Sequence, residues 1–461
     1  MKRLLALAAL TLPLPIAAQP PAPPIPVAAD ARVAKLRDAA LKDDLAWDIT
    51  EGLTTEIGPR LAGTEAEARA RDWAVAKLKS LGFKNVRIEP FDMKVWVRGE
   101  ERAEIVSPFP QRLVLTALGN SGATPAEGLT AEVVYFPTYA DLLRAPDGSL
   151  KGKIAFVSHA MVATTDGSQY GPFGQVRRSG PAVASKKGAV GIVIRSIGTD
   201  YHRNPHAGGT NFPEGVTPIP AAALSLPDAE QLERVLKRGK PVMLKLVLTP
   251  QQIGTRQSGN VIAEVPGRDP KAGIVLIGGH LDSWDLGTGA IDDATGVAIT
   301  TAAAKRIMDA GQPRRTIRVV WFGAEEVGVF GGDAYFKAHK SDPHVLAAES
   351  DFGAGKVWKF DVNLPDSAKG IGDRLERALA PLGIPKGREK AGDGADVGPV
   401  MRSGVAAIDL AQDGTKYFDL HHTPDDTLDK VDPQALAQNV AAWTAVLKVV
   451  ANAAEPIQPV E

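Results

Sequence analysis

Two long apolar runs in the second half of the chain constrain its fold more than any other feature. They read GIVLIGG at residues 273–279 and TIRVVWFG at residues 316–323, and a helical pattern lies between them at about 294–310. A continuous apolar run is typical of a strand that is covered on both faces, as in a parallel sheet. Because strands and helices alternate here, we predict an α/β fold with a doubly wound, mixed and mostly parallel sheet.

A second unit, small and rich in β-strands, interrupts this main domain. Short apolar runs bounded by Gly and Pro, such as AEVVYF and GKIAFVSH, occur between about residues 129 and 248. We therefore predict five segments. They are a signal peptide at 1–18, a proline-rich linker at 19–30, a first part of the main domain at 31–118, an inserted β-rich unit at 119–251 and a second part of the main domain at 252–456.

The first part of the main domain carries a well-marked helix start. Thr64 is a candidate N-cap, Glu67 three residues later completes a capping box, and Gly82 ends the helical pattern. We therefore predict a helix between Thr64 and Gly82, with Glu67 hydrogen-bonded back to the cap.

The first 18 residues have the features of a secretory signal. Lys2 and Arg3 precede an apolar run, and the small residues Ala17 and Ala18 suit a cleavage site. The run is too short to span a bilayer, and no later stretch reaches about 18 apolar residues. We therefore expect an exported protein, periplasmic or secreted, with no membrane association after signal removal. An uncleaved N-terminal anchor is the alternative.

Composition narrows the chemistry that the chain can perform. The 53 Lys and Arg residues nearly balance the 54 Asp and Glu residues, and the resulting net charge of -1 argues against a nucleic-acid partner. The chain has no Cys, so it can form neither a disulfide framework nor a thiolate metal site. Any metal ion must therefore be held by His and carboxylate side chains.

Such side chains follow the predicted strands of the main domain. His280 and Asp282 come directly after the first apolar run, Asp292 lies at the start of the next helix, and Glu325 and Glu326 end the second run. In a doubly wound sheet ligands bind at the carboxyl ends of the strands. We therefore expect these side chains to lie close together.

Three further candidates lie nearer the C-terminus. Asp351 in AESDFG precedes a predicted strand, and His421 and His422 in YFDLHHTPDDT follow another strand by a loop. Each motif alone has an ordinary structural explanation, such as a helix cap or a solvated charge run. Together, two His positions and several carboxylates are the ligand types that bind a hard or borderline divalent ion.

Taken in order, these motifs resemble the M28 family of co-catalytic zinc exopeptidases, which includes aminopeptidases and the plasma glutamate carboxypeptidase group. The matching stretches are GGHLDSWDLGTGAIDDATG, FGAEEVGVFGGDAYF, ESDFG and YFDLHHTPDDT. The segment GPRLAGTEAEARARDWAVAKLKSLGF resembles the N-terminal part of the family, and the inserted unit resembles the protease-associated domain of some members. The resemblance implies a zinc exopeptidase fold with that domain inserted.

The resemblance also implies a site for two divalent metal ions, for which zinc is expected. Asp292 would bridge both ions, His280 and Asp351 would complete the first site, and Glu326 and His422 the second. Two divalent cations and three carboxylates then leave a charge that one hydroxide can balance, so the site can be partly buried.

The resemblance assigns catalytic roles to two other residues. Glu325 would be the general base that takes a proton from the attacking water and passes it to the leaving amine. Many members have Tyr just before the last ligand, where it helps to stabilise the oxyanion. Here that position holds His421, whose imidazole N–H could serve instead. The pair also leaves a choice between His421 and His422 as the last ligand.

Two carboxylates would hold the imidazole ligands in place. Asp282 would orient His280, and Asp426 would orient His422, because a His ligand commonly donates its second ring nitrogen to such a group.

The sequence therefore predicts an exported exopeptidase that removes terminal residues from peptides or splits dipeptides. An aminopeptidase is favoured, because most of the family acts at free N-termini, and a carboxypeptidase or dipeptidase is the alternative. A non-catalytic binding protein on the same scaffold would have broken ligand motifs, whereas every ligand position is filled here. The chain has no G-x-S-x-G elbow, which argues against a serine hydrolase. Homodimer formation and the role of the inserted unit, as a cover over the cleft or as a stabilising appendage, stay open.

Overall fold

The computed structural model describes residues 30–392, 394–457 and 460. The predicted signal peptide lies outside these described residues, as does the linker except for Asp30. Within the described part of the chain, no helix has the length and apolar character needed to cross a membrane.

The strands of the described residues form two β-sheets. In chain order they are β1 (Lys84–Val97), β2 (Glu101–Ser107), β3 (Gln111–Leu113), β4 (Leu115–Ala117), β5 (Leu129–Phe136), β6 (Ile154–Val157), β7 (Gly191–Arg195), β8 (Ala221–Leu224), β9 (Met243–Leu248), β10 (Gln251–Val265), β11 (Ile274–His280), β12 (Thr316–Phe322), β13 (His344–Glu349), β14 (Val357–Asn363) and β15 (Ala406–Gln412). The first sheet has the order β1-β10-β12-β11-β13-β15-β14, and the second has the order β3-β2-β9-β5-β6-β7-β8-β4.

Helices connect these strands and cover the first sheet. In chain order they are α1 (Ala31–Ala40), α2 (Leu45–Gly52), α3 (Glu65–Ser80), α4 (Tyr139–Arg144), α5 (Tyr170–Phe173), α6 (Gln175–Lys186), α7 (Leu226–Leu236), α8 (Thr295–Asp309), α9 (Phe330–His339), α10 (Lys369–Leu379), α11 (Gly398–Met401), α12 (Tyr417–Leu420) and α13 (Pro433–Val450). Single helical turns lie at Leu53–Ile57, Ala290–Ala294, Asp366–Ala368, Ala380–Leu382 and Leu428–Lys430.

The first sheet confirms the predicted α/β class. Strands β12, β11, β13 and β15 run parallel at its centre, and antiparallel strands complete both edges. Val275 and Ile277 of β11 pack into the apolar cluster that contains Val297 of α8, whereas Leu276 between them packs with Tyr335 of α9. The continuous apolar run of β11 is therefore buried because helices cover both faces of the sheet.

The second sheet begins earlier in the chain than the predicted inserted unit. Its strand β2 starts at Glu101, whereas the sequence predicts a boundary at residue 119. The alternating pattern before residue 119 predicts strands, but it carries no information on which sheet they join. The division of the chain into domains, and the identity of the second unit as a protease-associated domain, stay predictions.

Strand β13 was not predicted from the sequence, and it changes the position of Asp351 relative to the strands. The sequence predicts Asp351 ahead of a strand, and the structure also places it just after β13, which ends at Glu349. The HVLAAE sequence of β13 is short and only partly apolar, so its pattern did not mark it as a strand. Asp351 therefore lies at the carboxyl end of the sheet, where the other candidates lie.

Candidate metal centre

The predicted metal ligands meet at the carboxyl end of the first sheet. His280 ends β11, Glu326 follows β12 and Asp351 follows β13, so three neighbouring strands bring them together. Asp292 lies in the helical turn that precedes α8, and His422 follows α12. The five side chains come from separate stretches of the chain, and the parallel strands place them at one edge.

Asp292 lies at the centre of this group. Its Oδ1 is 3.0 Å from Nε2 of His280, and its Oδ2 is 3.2 Å from Nε2 of His422. Nε2 of His280 is also 3.3 Å from Oδ1 of Asp351, and Nε2 of His422 is 2.9 Å from Oε2 of Glu326. The side chains thus form two clusters that share Asp292.

The hydrogen bonds of the two imidazoles fix where their protons lie. Nδ1 of His280 is 2.9 Å from the carbonyl oxygen of Asp282, and Nδ1 of His422 is 3.1 Å from the carbonyl oxygen of Ala207. A carbonyl oxygen only accepts hydrogen bonds, so these contacts favour a proton on both Nδ1 atoms. Nη1 of Arg177 also lies 3.4 Å from Nδ1 of His422, a longer contact than the one with Ala207. Each neutral ring therefore presents the lone pair of Nε2 to carboxylate oxygens.

A lone pair that faces a carboxylate oxygen is stabilised when a proton or a metal cation lies between the two atoms. Although burial lowers the pKa of His280, the carboxylates of Asp351 and Asp292 raise this pKa well above its usual range. Oδ2 of Asp292 is buried and accepts no hydrogen bond. The residues therefore fit a pair of divalent cations, and imidazole with carboxylate is a donor set that suits zinc.

Glu325 lies beside the ligands without joining either cluster. Its N–H donates to Oδ1 of Asp282 at 3.0 Å, and its side chain lines the cavity in front of the clusters. Burial raises the pKa of Glu325 well above its usual range, and the charge of Asp351 adds to this effect. A carboxylate with a raised pKa is a group that can accept a proton and hold it.

The residue predicted to orient His280 does so through its backbone. The carboxylate oxygen Oδ1 of Asp282 is 3.8 Å from Nδ1 of His280, beyond hydrogen-bond distance, whereas the Asp282 carbonyl oxygen is 2.9 Å from that nitrogen. The carboxylate instead accepts the N–H of Glu325. A backbone acceptor is present at every residue, so a sequence pattern cannot single it out.

Asp426 contacts a different ligand from the one that the sequence predicts. Its carboxylate accepts the N–H groups of Ile291 at 2.6 Å and of Asp292 at 3.3 Å. It therefore holds the turn that carries Asp292. Ala207 accepts the hydrogen bond from His422 instead, and it belongs to the second-sheet unit, the part of the chain between Glu101 and Leu248 whose strands form the second sheet. Asp426 follows His422 by four residues, but the loop turns its carboxylate towards the backbone of Ile291 and Asp292.

His421 stacks on His422, with ring centroids 3.5 Å apart. Its Nε2 is 3.5 Å from Oδ2 of Asp292, and its Nδ1 is buried with no hydrogen-bond partner. Burial and the charge of His422 lower the pKa of His421 well below its usual range. The structure thus brings His422, and not His421, within 2.9 Å of Glu326.

Arg60 is a residue of the site region that sequence reasoning did not identify. Its fully buried guanidinium donates to the carbonyl oxygens of Leu281 at 2.5 Å, Thr288 at 2.6 Å and Gly289 at 2.8 Å. It therefore holds the loop between His280 and Asp292. The only feature of the sequence that pointed to Arg60 was its position in GPRLAGTE. This segment resembles the family, but the resemblance assigns no role to its residues.

A cavity of about 400 Å³ opens in front of the two clusters. The first-sheet part of the chain supplies lining residues that include Glu325 and Asp351. The second-sheet part supplies Tyr170, Arg177 and Arg178. The cavity has the size of a small-ligand site, and both carboxylates and guanidinium groups line it.

Comparison with known proteins supports the resemblance to the M28 peptidase family. The model of Peptidase family M28 matches residues 260–447. Carboxypeptidase Q of Bos taurus is 35% identical over 407 residues, which cover 87% of this chain and 84% of that protein.

Solved structures agree with this comparison. The Peptidase M28 precursor from Shewanella amazonensis SB2B is 50% identical, with a TM-score of 0.91 over 93% of this chain and 98% of that one. BSAP, a zinc aminopeptidase from Bacillus subtilis, shares the fold, with a TM-score of 0.64 and 21% identity over 91% of this chain and 98% of that one. The chain therefore belongs to peptidase family M28.

Proposed function

We propose that this M28 metallopeptidase is a two-zinc exopeptidase that hydrolyses the terminal bonds of short peptides. The observation that carries the proposal is the sharing of Asp292 by two clusters, each with an imidazole lone pair turned to carboxylate oxygens. His280, Asp292 and Asp351 would hold one ion, and Asp292, Glu326 and His422 the other. When bound, such ions lower the pKa of a water molecule and polarise the scissile carbonyl group.

Glu325 acts as the general base in this proposal. Its carboxylate takes a proton from the attacking water and later delivers this proton to the leaving amine. The raised pKa of Glu325 supports the role, because a group that takes up a proton readily can hold it until the carbon–nitrogen bond breaks. His421, the residue just before the last ligand, is one candidate donor to the carbonyl oxygen.

The preferred substrate in this proposal has a free N-terminus, as in an aminopeptidase. The cavity lining that contains Glu325 and Asp351 is acidic, and an ammonium group is the substrate terminus that such a lining attracts. The aminopeptidase BSAP has the same fold, which is compatible with this choice.

The arginine residues of the cavity favour a second candidate, a carboxypeptidase or dipeptidase. Among the described residues, Arg177 and Arg178 form no ion pair, and both line the cavity. A guanidinium without a carboxylate partner attracts a substrate carboxylate. The 35% identity to a protein named Carboxypeptidase Q supports this candidate.

A panel of three substrates separates these candidates. Leucine para-nitroanilide has a free amino group only, N-acetyl-leucyl-leucine has a free carboxylate only, and leucyl-leucine has both. The aminopeptidase proposal expects turnover of the first and the third. A carboxypeptidase cleaves the second and the third, and a strict dipeptidase cleaves only the third. If the zinc-loaded protein cleaves none of them, the exopeptidase proposal is wrong.

We also propose that the chain is exported, on the basis of its first 18 residues. N-terminal sequencing of the protein from the periplasm or the medium should then give Gln19 as the first residue. A chain recovered with Met1 intact would contradict cleavage.

A further inference from the structure

Tyr170 of α5 brings a hydroxyl group of the second-sheet unit to the catalytic cavity. Its ring stacks on Phe418 with centroids 4.7 Å apart and meets the ring of His421 edge-on at 5.0 Å. It lines the same cavity as Glu325 and Asp292. The tyrosine is therefore packed against the segment that carries the last ligand.

One guanidinium group connects Tyr170 to the metal centre. Nη2 of Arg177 donates to the Tyr170 hydroxyl oxygen at 2.7 Å, and Nη1 of Arg177 donates to the carbonyl oxygen of Ala207 at 3.3 Å. The same carbonyl oxygen accepts from Nδ1 of His422. The hydroxyl group of Tyr170 is thus linked to the His422 ring through the guanidinium of Arg177 and the carbonyl group of Ala207.

This contact leaves the phenol proton free for another acceptor. A guanidinium has no acceptor atom, so the hydroxyl oxygen of Tyr170 accepts in this bond and its own proton is not used. Among the described residues, no other hydrogen bond of this hydroxyl is found. Arg177 is 6% exposed and forms no ion pair with a described carboxylate, so its charge favours negative charge near the phenol oxygen.

Two neighbouring groups are alternative donors to an oxygen that becomes negative. His421 has one ring nitrogen buried without a partner and the other facing Asp292. Tyr417 lines the same cavity, and its ring centroid lies 5.0 Å from those of Phe418 and His421. Arg177, in contrast, fixes the hydroxyl oxygen of Tyr170.

We propose that Tyr170 is a catalytic residue whose hydroxyl group donates a hydrogen bond to the substrate carbonyl oxygen as this oxygen becomes negatively charged. The water oxygen adds to the carbonyl carbon, the π electrons of the carbonyl move onto its oxygen, and Tyr170 keeps its proton throughout. Arg177 is a positioning residue, because it fixes the hydroxyl oxygen and so directs the phenol proton. The inference rests on the proposed function.

The first test is Tyr170→Phe in the zinc-loaded enzyme, which removes the hydroxyl and keeps the ring packing. Loss of one oxyanion donor lowers kcat by about 100- to 1000-fold, and we expect KM to change by less than about threefold. Zinc content and melting temperature should match the wild type. Tyr139→Phe, in the same unit and outside the cavity, is the matched control and should keep full activity.

The second test is a double-mutant cycle between Tyr170 and Arg177. Arg177→Lys should lower kcat in the wild-type background, and it should change kcat by less than about threefold when Tyr170 is already Phe. A merely structural role of Arg177 would give equal losses in both backgrounds. Equal losses would therefore overturn the positioning role.

The outcomes separate this inference from the proposed function. A wild-type enzyme without peptidase activity would overturn both. An active wild type with unchanged kcat in Tyr170→Phe would overturn the inference alone, as would a loss that is confined to KM. If Tyr417→Phe loses as much kcat as expected here while Tyr170→Phe does not, the oxyanion donor is Tyr417.

Discussion

At the scale of single residues, two backbone carbonyl groups decide which nitrogen of each imidazole faces the centre. The carbonyl oxygens of Asp282 and Ala207 accept from Nδ1 of His280 and His422, and this leaves both Nε2 atoms to face carboxylates. His422 itself has a left-handed backbone with φ of 62°, a conformation that costs a non-glycine residue about 1 to 3 kcal/mol. Such a residue persists only where its surroundings hold it.

Replacing Glu325 by Gln should remove nearly all turnover, because an amide cannot accept the proton of the attacking water. A positioned general base contributes about 100- to 10,000-fold, so kcat should fall by at least about 100-fold. The measurement is kcat on the best substrate of the three-substrate panel, with zinc content determined by mass spectrometry on the same samples.

Glu104→Gln is the control for this change, because Glu104 is exposed on β2 and distant in sequence from the proposed ligands. This variant should be fully active, and both variants should retain their zinc. Full activity of Glu325→Gln would remove Glu325 from the mechanism.

At the scale of elements, the start of α3 shows what local spacing can and cannot predict. Thr64 caps the helix as predicted, since its hydroxyl oxygen accepts the N–H of Glu67 at 3.4 Å. The carboxylate of Glu67 does not return to the cap. It accepts the N–H of Gly63 at 3.3 Å and the hydroxyl of Ser258 on β10 at 3.0 Å. The partner on β10 is distant in the chain, so the capping-box pattern could not show it.

This buried carboxyl group gives the fold a pH dependence. Burial raises the pKa of Glu67 from 4.5 to about 7, although the charge of Arg71 opposes the shift. A folded-state pKa above the unfolded value favours the protonated form, so the contribution to stability is full below pH 4.5 and is lost as pH rises through about 7. Between pH 5 and pH 8, Glu67→Gln should gain about 2 kcal/mol in unfolding free energy relative to the wild type.

Urea denaturation of the wild type and of Glu67→Gln at both pH values measures this difference. Glu65→Gln is the matched control, because Glu65 is exposed in the first turn of the same helix. A difference between wild type and Glu67→Gln that does not change with pH would contradict the assignment.

The loop between β11 and α8 depends on one side chain from the N-terminal part of the chain. Arg60→Lys cannot reach all three carbonyl oxygens of Leu281, Thr288 and Gly289, because its donors lie on one nitrogen whereas the guanidinium uses three. Each unsatisfied buried acceptor costs about 1 to 3 kcal/mol. The unfolding free energy should therefore fall by at least about 1 kcal/mol.

Arg69→Lys on the exposed side of α3 is the control and should change stability little. Zinc affinity, measured by competition with a chelator, should also fall in Arg60→Lys, because this loop leads from His280 to Asp292. Unchanged stability and unchanged affinity would show that the loop holds its shape without Arg60.

At the scale of the whole molecule, removal of the ions should affect both activity and stability. Without cations, the closely spaced carboxylates of Asp292, Glu326 and Asp351 repel one another. A ligand present at about 1000 times its Kd stabilises the folded state by about 4 kcal/mol, so the melting temperature should drop clearly on chelation. Added Zn²⁺ should restore both quantities better than Mg²⁺, which disfavours imidazole ligands. Activity that survives measured loss of metal would contradict the proposal.

The sequence predicted the parts of the molecule that depend on local pattern. The apolar runs of β11 and β12, the cap at Thr64 and the convergence of the strand-end ligands all appear in the structure. The place of Tyr170 in the cavity was not predicted, because its contacts with Phe418 and His421 depend on how the second-sheet unit packs against the first sheet. The partner of Asp426 was missed for the same reason, since it lies in a turn 134 and 135 positions away.

The distribution of the site along the chain bears on how the protein is made. Tyr170, Arg177 and Ala207 emerge from the ribosome before any ligand does, and His422 emerges last, shortly before α13. A nascent polypeptide that has not reached residue 422 therefore lacks one of the five groups. Translation must therefore pass residue 422 before all five groups can meet, so a nascent chain that already carries Tyr170, Arg177 and Ala207 still has no complete metal centre.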